Sequence, residues 1–173
     1  MRIKGAKHKL KKGLGATVML GYYKNEEATA DMIHVHADGE RWLHSGDVGY
    51  MDENGILYVT GRVKRIIMTK GADGNITKLF PSRIESVIAS AEAVREVCVV
   101  GVADKKRISI PKAYVILAEG YQPEEAVRKD ILQVCKKGLP DYMIPEEIVF
   151  RGEFPRTERG KVDYRELEKL AEG

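Results

Sequence analysis

The chain has 173 residues, of which 43% are hydrophobic and 32% charged; these are ordinary globular values that exclude a disulfide-dependent miniprotein and argue against wholesale disorder. The formal net charge of +3 is too small by itself to predict nucleic-acid binding. Basic residues gather near the amino terminus: Arg2, Lys4, Lys7, Lys9, Lys11 and Lys12. We expect this segment to be a solvated or partly disordered leader. A contact with phosphate or anionic lipid is the less favoured alternative.

The two cysteines, Cys98 and Cys135, stand in apolar or amphipathic runs without a paired spacing. This placement predicts reduced core residues. No apolar run approaches the ~20 residues of a membrane span, and no apolar stretch follows the basic start as a signal peptide would require. We therefore expect a cytoplasmic protein with no membrane span.

The first third of the chain predicts short antiparallel strands. Asn25 is a helix cap, and the helix it begins ends near Met32. Asn54-Gly55 predicts a tight turn before a strand from Ile56 to Thr60. Gly61-Arg62 then interrupts the pattern, and we take this shift in composition as a domain boundary.

Strands and helices alternate from residue 63 onward. Pro81 stands in the first turn of an amphipathic helix, and Asp163 with Glu166 three residues later predicts a capping box for a last helix. The other predicted elements are a strand at Ile66–Met68, a turn-rich loop at Lys70–Asn75, strands at Val94–Val102 and Ala113–Leu117, and a helix opened by Pro123 that ends at Lys136–Gly138. The predicted fold class is α+β: a small β-rich part at residues 1–62 and a compact α+β domain at residues 63–173.

Four short blocks combine turn-forming residues with charged residues that do not suit a core. Taken singly, each is explained by an ordinary turn, strand end or surface loop. The blocks are His44-Ser45-Gly46-Asp47-Val48-Gly49, Gly61-Arg62-Val63-Lys64, Leu139-Pro140-Asp141-Tyr142-Met143-Ile144-Pro145, and Pro155-Arg156-Thr157-Glu158-Arg159-Gly160-Lys161-Val162-Asp163.

In their order and spacing these blocks resemble the carboxy-terminal part of the adenylate-forming superfamily, which contains acyl-CoA synthetases, luciferases and adenylation domains of peptide synthetases. The resemblance begins near Val18 and includes Met19–Asn25 with Ala28-Thr29. Within the superfamily the chain looks most like the long-chain fatty-acyl-CoA ligases. The resemblance implies the end of a large amino-terminal domain followed by a small carboxy-terminal lid domain.

The chemistry implied by the resemblance has two steps. A carboxylate attacks the α-phosphate of ATP to give an acyl-adenylate and pyrophosphate, and the thiol of coenzyme A then displaces AMP. A complete enzyme of this family uses a carboxylic acid, ATP, coenzyme A and Mg²⁺, and no Mg²⁺ ligand is assigned in this chain.

The resemblance also implies roles for single residues. Asp47 would accept hydrogen bonds from the ribose hydroxyls of the nucleotide, and Arg62 would also contact the ribose. Lys161 would reach the substrate carboxylate and the α-phosphate, where its positive charge offsets charge that develops during phosphoryl transfer. Lys64 falls on the hinge of the family, and Gly71 on a loop that lines the path of the pantetheine arm.

The chain departs from the family pattern in three places. The segment from Gly71 to Pro81 is longer than usual, and Arg65 replaces a commonly acidic residue after the hinge. The phosphate loop and acyl pocket of the family lie upstream of the matched segment, and nothing in residues 1–17 resembles them. We therefore expect the chain to be inactive without an amino-terminal domain.

Three alternatives remain open at this level. The chain could be a stand-alone interaction or regulatory module that docks on a separate amino-terminal domain and supplies Lys161 in trans. Nucleic-acid binding through the basic terminus is a weaker alternative, and no nucleic-acid partner is expected. His34 and His36 alternate on a possible strand and could share a metal, but the sequence offers no convincing third ligand, so they are expected to be surface histidines.

Overall fold

The computed structural model describes the backbone of residues 8–12 and residues 18–37, 39–71 and 73–172. The chain divides into two compact units, Met1–Lys64 and Arg65–Gly173. This division falls two residues after the boundary that the sequence suggested. No helix among the described residues is both long and apolar enough to cross a membrane.

The first unit is built around one long central strand. This strand, β3 (Arg41–Met51), pairs antiparallel with β1 (His8–Lys12), β2 (Ile33–Val35) and β4 (Leu57–Arg62). The helix α1 (Glu26–Met32) precedes β2, and the side chain of its cap Asn25 accepts a hydrogen bond from the backbone N–H of Ala28 at 2.9 Å. The predicted cap and the predicted turn at Asn54-Gly55 are both confirmed, since Gly55 has a φ of 81° between β3 and β4.

Two expectations for the first unit are wrong. Lys9, Lys11 and Lys12 lie in β1, although a partly disordered leader was one expectation there, because β3 supplies hydrogen-bond partners that no local pattern reveals. Arg2, Lys4 and Lys7 lie outside the described residues. Gly61-Arg62 does not interrupt its strand: both residues pair with β3, opposite Val48 and Asp47, so cross-strand pairing overrides the weak strand propensity of glycine.

The second unit begins with a hairpin that the sequence had suggested to be a strand and a loop. β5 (Ile67–Lys70) pairs antiparallel with β6 (Ile76–Leu79), and the register runs from Ile67 opposite Leu79 to Lys70 opposite Ile76. A short 3-10 turn, Val63–Arg65, precedes this hairpin and contains the division between the units.

A three-stranded sheet forms the centre of the second unit. β7 (Val94–Asp104) and β8 (Ile108–Leu117) are antiparallel, and β9 (Glu147–Phe150), which the sequence did not predict, adds parallel to β8. The helices are α2 (Pro81–Ile88), α3 (Glu125–Gly138) and α4 (Tyr164–Glu172), and a second 3-10 turn spans Asp141–Met143. The predicted mixed α+β class is thereby confirmed.

Alternation along β7 and β8 places apolar side chains on both faces of this sheet. One face packs with α2 and α3 in a cluster that includes Ile84, Ile88, Val99, Val115, Ile131 and Cys135. The other face packs with α4 in a cluster that includes Cys98, Val100, Tyr114, Phe154 and Leu167. Both cysteines are free and buried, as expected, but in different clusters. The second unit therefore has three layers with the sheet in the middle.

Candidate functional site

Asp47 and Arg62 lie opposite each other on β3 and β4. The Nε atom of Arg62 lies 2.9 Å from Oδ1 of Asp47, and Nη1 of Arg62 also donates to the carbonyl of Ser45 at 3.2 Å. The side chains are 61% and 26% exposed, so both reach solvent. The structure thus brings together two of the five residues that the sequence selected, and Arg62 orients the carboxylate of Asp47.

The backbone of β3 just before Asp47 shapes the same corner of the first unit. Gly46 has a φ of 73°, in the left-handed region that favours glycine, and the backbone N–H of Asp47 points to Oγ of Ser45 at 3.3 Å. A cavity of about 440 Å³ opens beside Gly46, and its lining includes His44 and Lys64. Its volume is within the range of small-molecule pockets, so this corner has both a polar pair and an adjoining recess.

Three histidines gather at β2 and β3: His34 in β2, His36 just after it and His44 in β3. His44, which the sequence analysis did not connect with the other two, stacks on His34 with ring centroids 4.2 Å apart, and its Nε2 lies 2.9 Å from Nε2 of His36. The Nε2 of His34 instead faces the carbonyl of Asp31 at 3.0 Å. Stacked rings do not direct their nitrogen lone pairs at a common point, and in the described part of the chain no group of three or more His, Cys, Asp or Glu side chains is placed to hold a metal.

Lys161 lies in the second unit, on the loop between β9 and α4. It is exposed, and its ammonium makes no hydrogen bond or ion pair with any residue in the described ranges. The loop folds back on itself: the backbone N–H of Thr157 donates to the carbonyl of Lys161 at 2.8 Å, and the N–H of Gly160 to that of Thr157 at 2.8 Å. Gly160 has a φ of 75°, in the left-handed region that favours glycine.

Both ends of the Lys161 loop are fastened to the second unit. Before the lysine, Nη2 of Arg156 lies 3.0 and 2.7 Å from the two carboxylate oxygens of Glu96 on β7. After it, Oδ1 of Asp163 accepts from the backbone N–H of Arg165 at 3.1 Å and of Glu166 at 3.3 Å, which confirms the predicted helix cap. Hydrogen bonds between charged groups are stronger than neutral ones, so the lysine is presented on a supported loop.

The sequence analysis missed the role of Arg156, because its partner Glu96 is 60 residues away in the chain. An ion pair between residues so far apart in the sequence leaves no local signal. The only hint was the position of Arg156 within a block of turn-forming residues.

Gly71 lies in the turn between β5 and β6. Its N–H donates to the carbonyl of Asn75 at 2.9 Å, and a Cβ at this position would come within 2.7 Å of Oδ1 of Asp73. Hydrogen bonds from the side chain and backbone of Asn75 lower the pKa of Asp73. The turn geometry accounts for the glycine locally, and the coenzyme A path through it stays a prediction.

Lys64 is the last residue of the first unit and lies in the 3-10 turn. Asp47, Arg62 and Lys64 thus belong to the first unit, and Gly71 and Lys161 to the second.

Comparison with known proteins was made at three levels. Residues 83–161 match the family described as "AMP-binding enzyme C-terminal domain". Curated relatives named 2-succinylbenzoate–CoA ligase include one from Listeria innocua, 37% identical over 155 residues, and one from Bacillus cereus, 37% identical over 158 residues. These alignments cover 90% and 91% of this chain but 30% of each relative, so the chain spans about a third of their length.

Solved structures give the same result. An anthranilate CoA ligase, AuaEII, in complex with anthranoyl-AMP matches with a TM-score of 0.75 and 30% identity, over 88% of this chain and 28% of that one. The o-succinylbenzoate CoA synthetase of Bacillus subtilis, in complex with its acyl-adenylate, matches with a TM-score of 0.73 and 32% identity, over 87% and 28%. The predicted resemblance to the carboxy-terminal part of adenylate-forming enzymes is confirmed by these matches.

Proposed function

We propose that the chain acts as the carboxy-terminal portion of an AMP-forming acid–CoA ligase, because residues 83–161 match the family described as "AMP-binding enzyme C-terminal domain". In this proposal the first unit contributes the last strands of an amino-terminal domain, and the second unit is the lid that closes on it. The substrates are a carboxylic acid, ATP and coenzyme A.

The single observation that carries the proposal is the pairing of Asp47 with Arg62. Arg62 holds Asp47 at Oδ1, and a carboxylate has about four acceptor positions in all. The Asp47 carboxylate can therefore accept hydrogen bonds from two adjacent hydroxyls while Arg62 balances its charge. This is the demand that a ribose makes.

Lys161 supplies the complementary charge for the proposed reaction. Its ammonium is free of partners among the described residues, and its loop is fastened at Arg156 and Asp163. A lysine held in this way can approach an anionic group without first breaking an ion pair. In the proposed mechanism it contacts the acid carboxylate and the α-phosphate as charge develops there.

Mg²⁺ enters the proposal only through the complete enzyme. The described residues include no cluster of His, Cys, Asp or Glu side chains that would hold a metal. The roles proposed for this chain's own residues are hydrogen bonds to the nucleotide and the charge of Lys161.

The acid substrate is the finer part of the proposal. The sequence alone favoured a fatty acid, whereas the relatives are named for 2-succinylbenzoate and one similar structure for anthranilate. Both of these acids are carried on a benzene ring. We therefore favour an aromatic carboxylic acid over a fatty acid.

A chimera tests the ligase proposal. Residues 18–173 would replace the matched segment of the Listeria innocua 2-succinylbenzoate–CoA ligase, and acid-dependent exchange between ATP and pyrophosphate would be measured. We expect exchange to be restored. A folded chimera without exchange would contradict the proposal.

The alternative of docking in trans has one observation in its favour. The first unit exposes large apolar side chains on β3 and β4, among them Met51 at 50% and Val59 at 61%, and such residues suit contact with another protein surface. Mixing the 173-residue chain with a separately produced amino-terminal portion would test it. Exchange by the mixture supports docking in trans. Exchange by the chimera but not by the mixture counts against it.

A further inference from the structure

Arg65 follows the proposed hinge residue Lys64 and is the first residue of the second unit. Its side chain turns inward. The guanidinium forms a two-pronged ion pair with Glu85 of α2, with Nη2 to Oε1 at 2.5 Å and Nη1 to Oε2 at 3.3 Å. Nη2 also donates to the carbonyl of Val99 on β7 at 3.1 Å, and the group lies over the ring of Tyr164 of α4, 5.2 Å from its centre.

Glu85 closes this network from the other side. Its Oε1 accepts a hydrogen bond from the backbone N–H of Val99 at 2.9 Å, so one carboxylate holds both Arg65 and the middle of β7. The side chains of Arg65 and Glu85 are only 22% and 17% exposed. Three elements, α2, β7 and α4, therefore converge on a single guanidinium.

The neighbouring thiol does not compete for the charge. Burial raises the pKa of Cys98 to about 12, so this side chain is neutral beside Arg65, 3.8 Å from its Nη2. Burial lowers the pKa of Arg65, but the hydrogen bond and the charge of Glu85 raise it by more, and the net direction is upward. Glu85 is thus the charge partner of Arg65.

Withdrawing Arg65 from this network would be costly. A half-buried carboxylate would lose its counter-charge, and breaking one side of a buried pair is strongly destabilising. Hinges, in contrast, are a few residues that absorb large changes in backbone dihedral angles. A residue anchored to three elements of one unit cannot absorb such a change without releasing its contacts.

We propose that Arg65 is a positioning residue that ends the hinge, so that rotation of the second unit is taken up by Lys64 and the residues before it. The inference rests on the proposed function, because that proposal makes Lys64 a hinge. It also gives a reason for the departure from the acidic residue common at this position: an acid at residue 65 would face Glu85 with like charge.

Trypsin tests the anchor directly on the 173-residue chain. Trypsin cuts after a lysine or arginine whose side chain can enter its specificity pocket, and Arg65 must leave Glu85 to do so. We expect trypsin to cut the native chain after the exposed Lys64 at least about tenfold faster than after Arg65, because cleavage follows the population of the open form. Mass spectrometry separates fragments that begin at Arg65 from those that begin at Ile66.

Glu85→Gln should raise cleavage after Arg65 relative to cleavage after Lys64 by about tenfold. Arg65→Lys, which keeps the charge and the cleavage site but loses the fork, should shift the ratio in the same direction. The matched control is Glu96→Gln. Glu96 lies on β7, as Val99 does, and its carboxylate is held by Arg156. This variant should leave the ratio of the two cuts unchanged. General loss of stability raises both cuts together, so the ratio separates an anchor from a merely structural role.

Backbone ¹⁵N relaxation supplies a second readout. In the native chain the backbone order parameter should be higher at Arg65 than at Lys64. In Glu85→Gln the order parameter of Arg65 should fall, so that the rise comes after Arg65. Equal cleavage after both residues in the native chain, or a step that Glu85→Gln leaves in place, would overturn the proposal. Neither measurement needs ATP or coenzyme A, so failure of the anchor and failure of the ligase proposal are distinguishable.

Discussion

Arg62 reaches across from β4 to hold Asp47 on β3, and the contact joins Nε to Oδ1 at 2.9 Å. The pair follows the turn at Gly46, whose left-handed backbone turns the chain just before the carboxylate. Two motif blocks, whose paired residues Asp47 and Arg62 are 15 positions apart in the chain, thus meet at one polar pair. Their chemistry depends on the register of β3 and β4, so a one-residue slip would send the two side chains to different faces.

Asp47→Asn should weaken ATP binding in the chimera. A hydrogen bond to a charged group contributes about 1.5–3 kcal/mol, so we expect the KM for ATP to rise by about 10- to 100-fold, with a smaller change in kcat because the ribose is remote from the reacting phosphorus. Steady-state exchange at varied ATP measures both constants. Glu53→Gln, which neutralises an exposed carboxylate in the next turn, is the control. An unchanged KM would remove Asp47 from the nucleotide site.

Lys161→Met should lower the rate of exchange in the chimera by about 10²–10³-fold, the usual loss when one charge-stabilising group is removed. The thermal midpoint should not move, since the lysine is exposed and holds no partner in the ranges that the structure describes. Lys136→Met, at an exposed lysine of α3, is the matched control for charge. Equal exchange by the two variants would show that Lys161 does not act on the reacting groups.

Leu167→Ala should destabilise the second unit. Leu167 is fully buried on α4 in the cluster with Phe154 and Tyr114, and truncating such a residue costs about 2–5 kcal/mol in the free energy of unfolding. Urea denaturation followed by circular dichroism measures the change. Leu170→Ala on the same helix, where the side chain is 48% exposed, should cost much less. Similar losses for both variants would mean that α4 is not docked as described.

Asp104 should make the turn between β7 and β8 sensitive to acid. Hydrogen bonds from the backbone N–H groups of Arg107 and Lys106 lower the pKa of its carboxyl below the ordinary 3.8. A carboxyl whose pKa is lower in the folded state stabilises that state above the unfolded pKa, and this contribution is lost as pH falls through the folded pKa. The thermal midpoint of the native chain should therefore exceed that of Asp104→Asn near pH 6, and the difference should shrink below about pH 4. A constant difference across this range would contradict the assignment.

Local signals predicted much of the second unit. Pro81 in a first turn, the cap at Asp163 and the β-branched runs of β7 and β8 each depend on residues within a few positions, and each is found where expected. β9 escaped prediction because Glu147–Phe150 is a short run beside a proline-bounded loop, and its strand conformation depends on pairing with β8. β6 was hidden for the same reason by the turn-forming residues before it.

The candidate site divides in the same way. Asp47, Arg62 and Lys161 were selected as candidate site residues from motif order, which carries information about chemistry without requiring geometry. The contacts that support them, such as Glu96 with Arg156 and Glu85 with Arg65, join residues 60 and 20 positions apart. No pattern in a single sequence specifies such pairs, because they form only when the sheet and the helices have packed.

The parallel addition of β9 to β8 affects the order in which the chain can fold. β7 and β8 are consecutive and close as a hairpin, whereas β9 reaches β8 only after the whole of α3 has crossed between them. Closing a longer loop is entropically slower, so the hairpin should form first and β9 late. The Lys161 segment follows β9 in the chain and should become ordered only after β9 has paired. During synthesis on a ribosome, the Lys161 segment would therefore acquire its shape later than the β7–β8 hairpin.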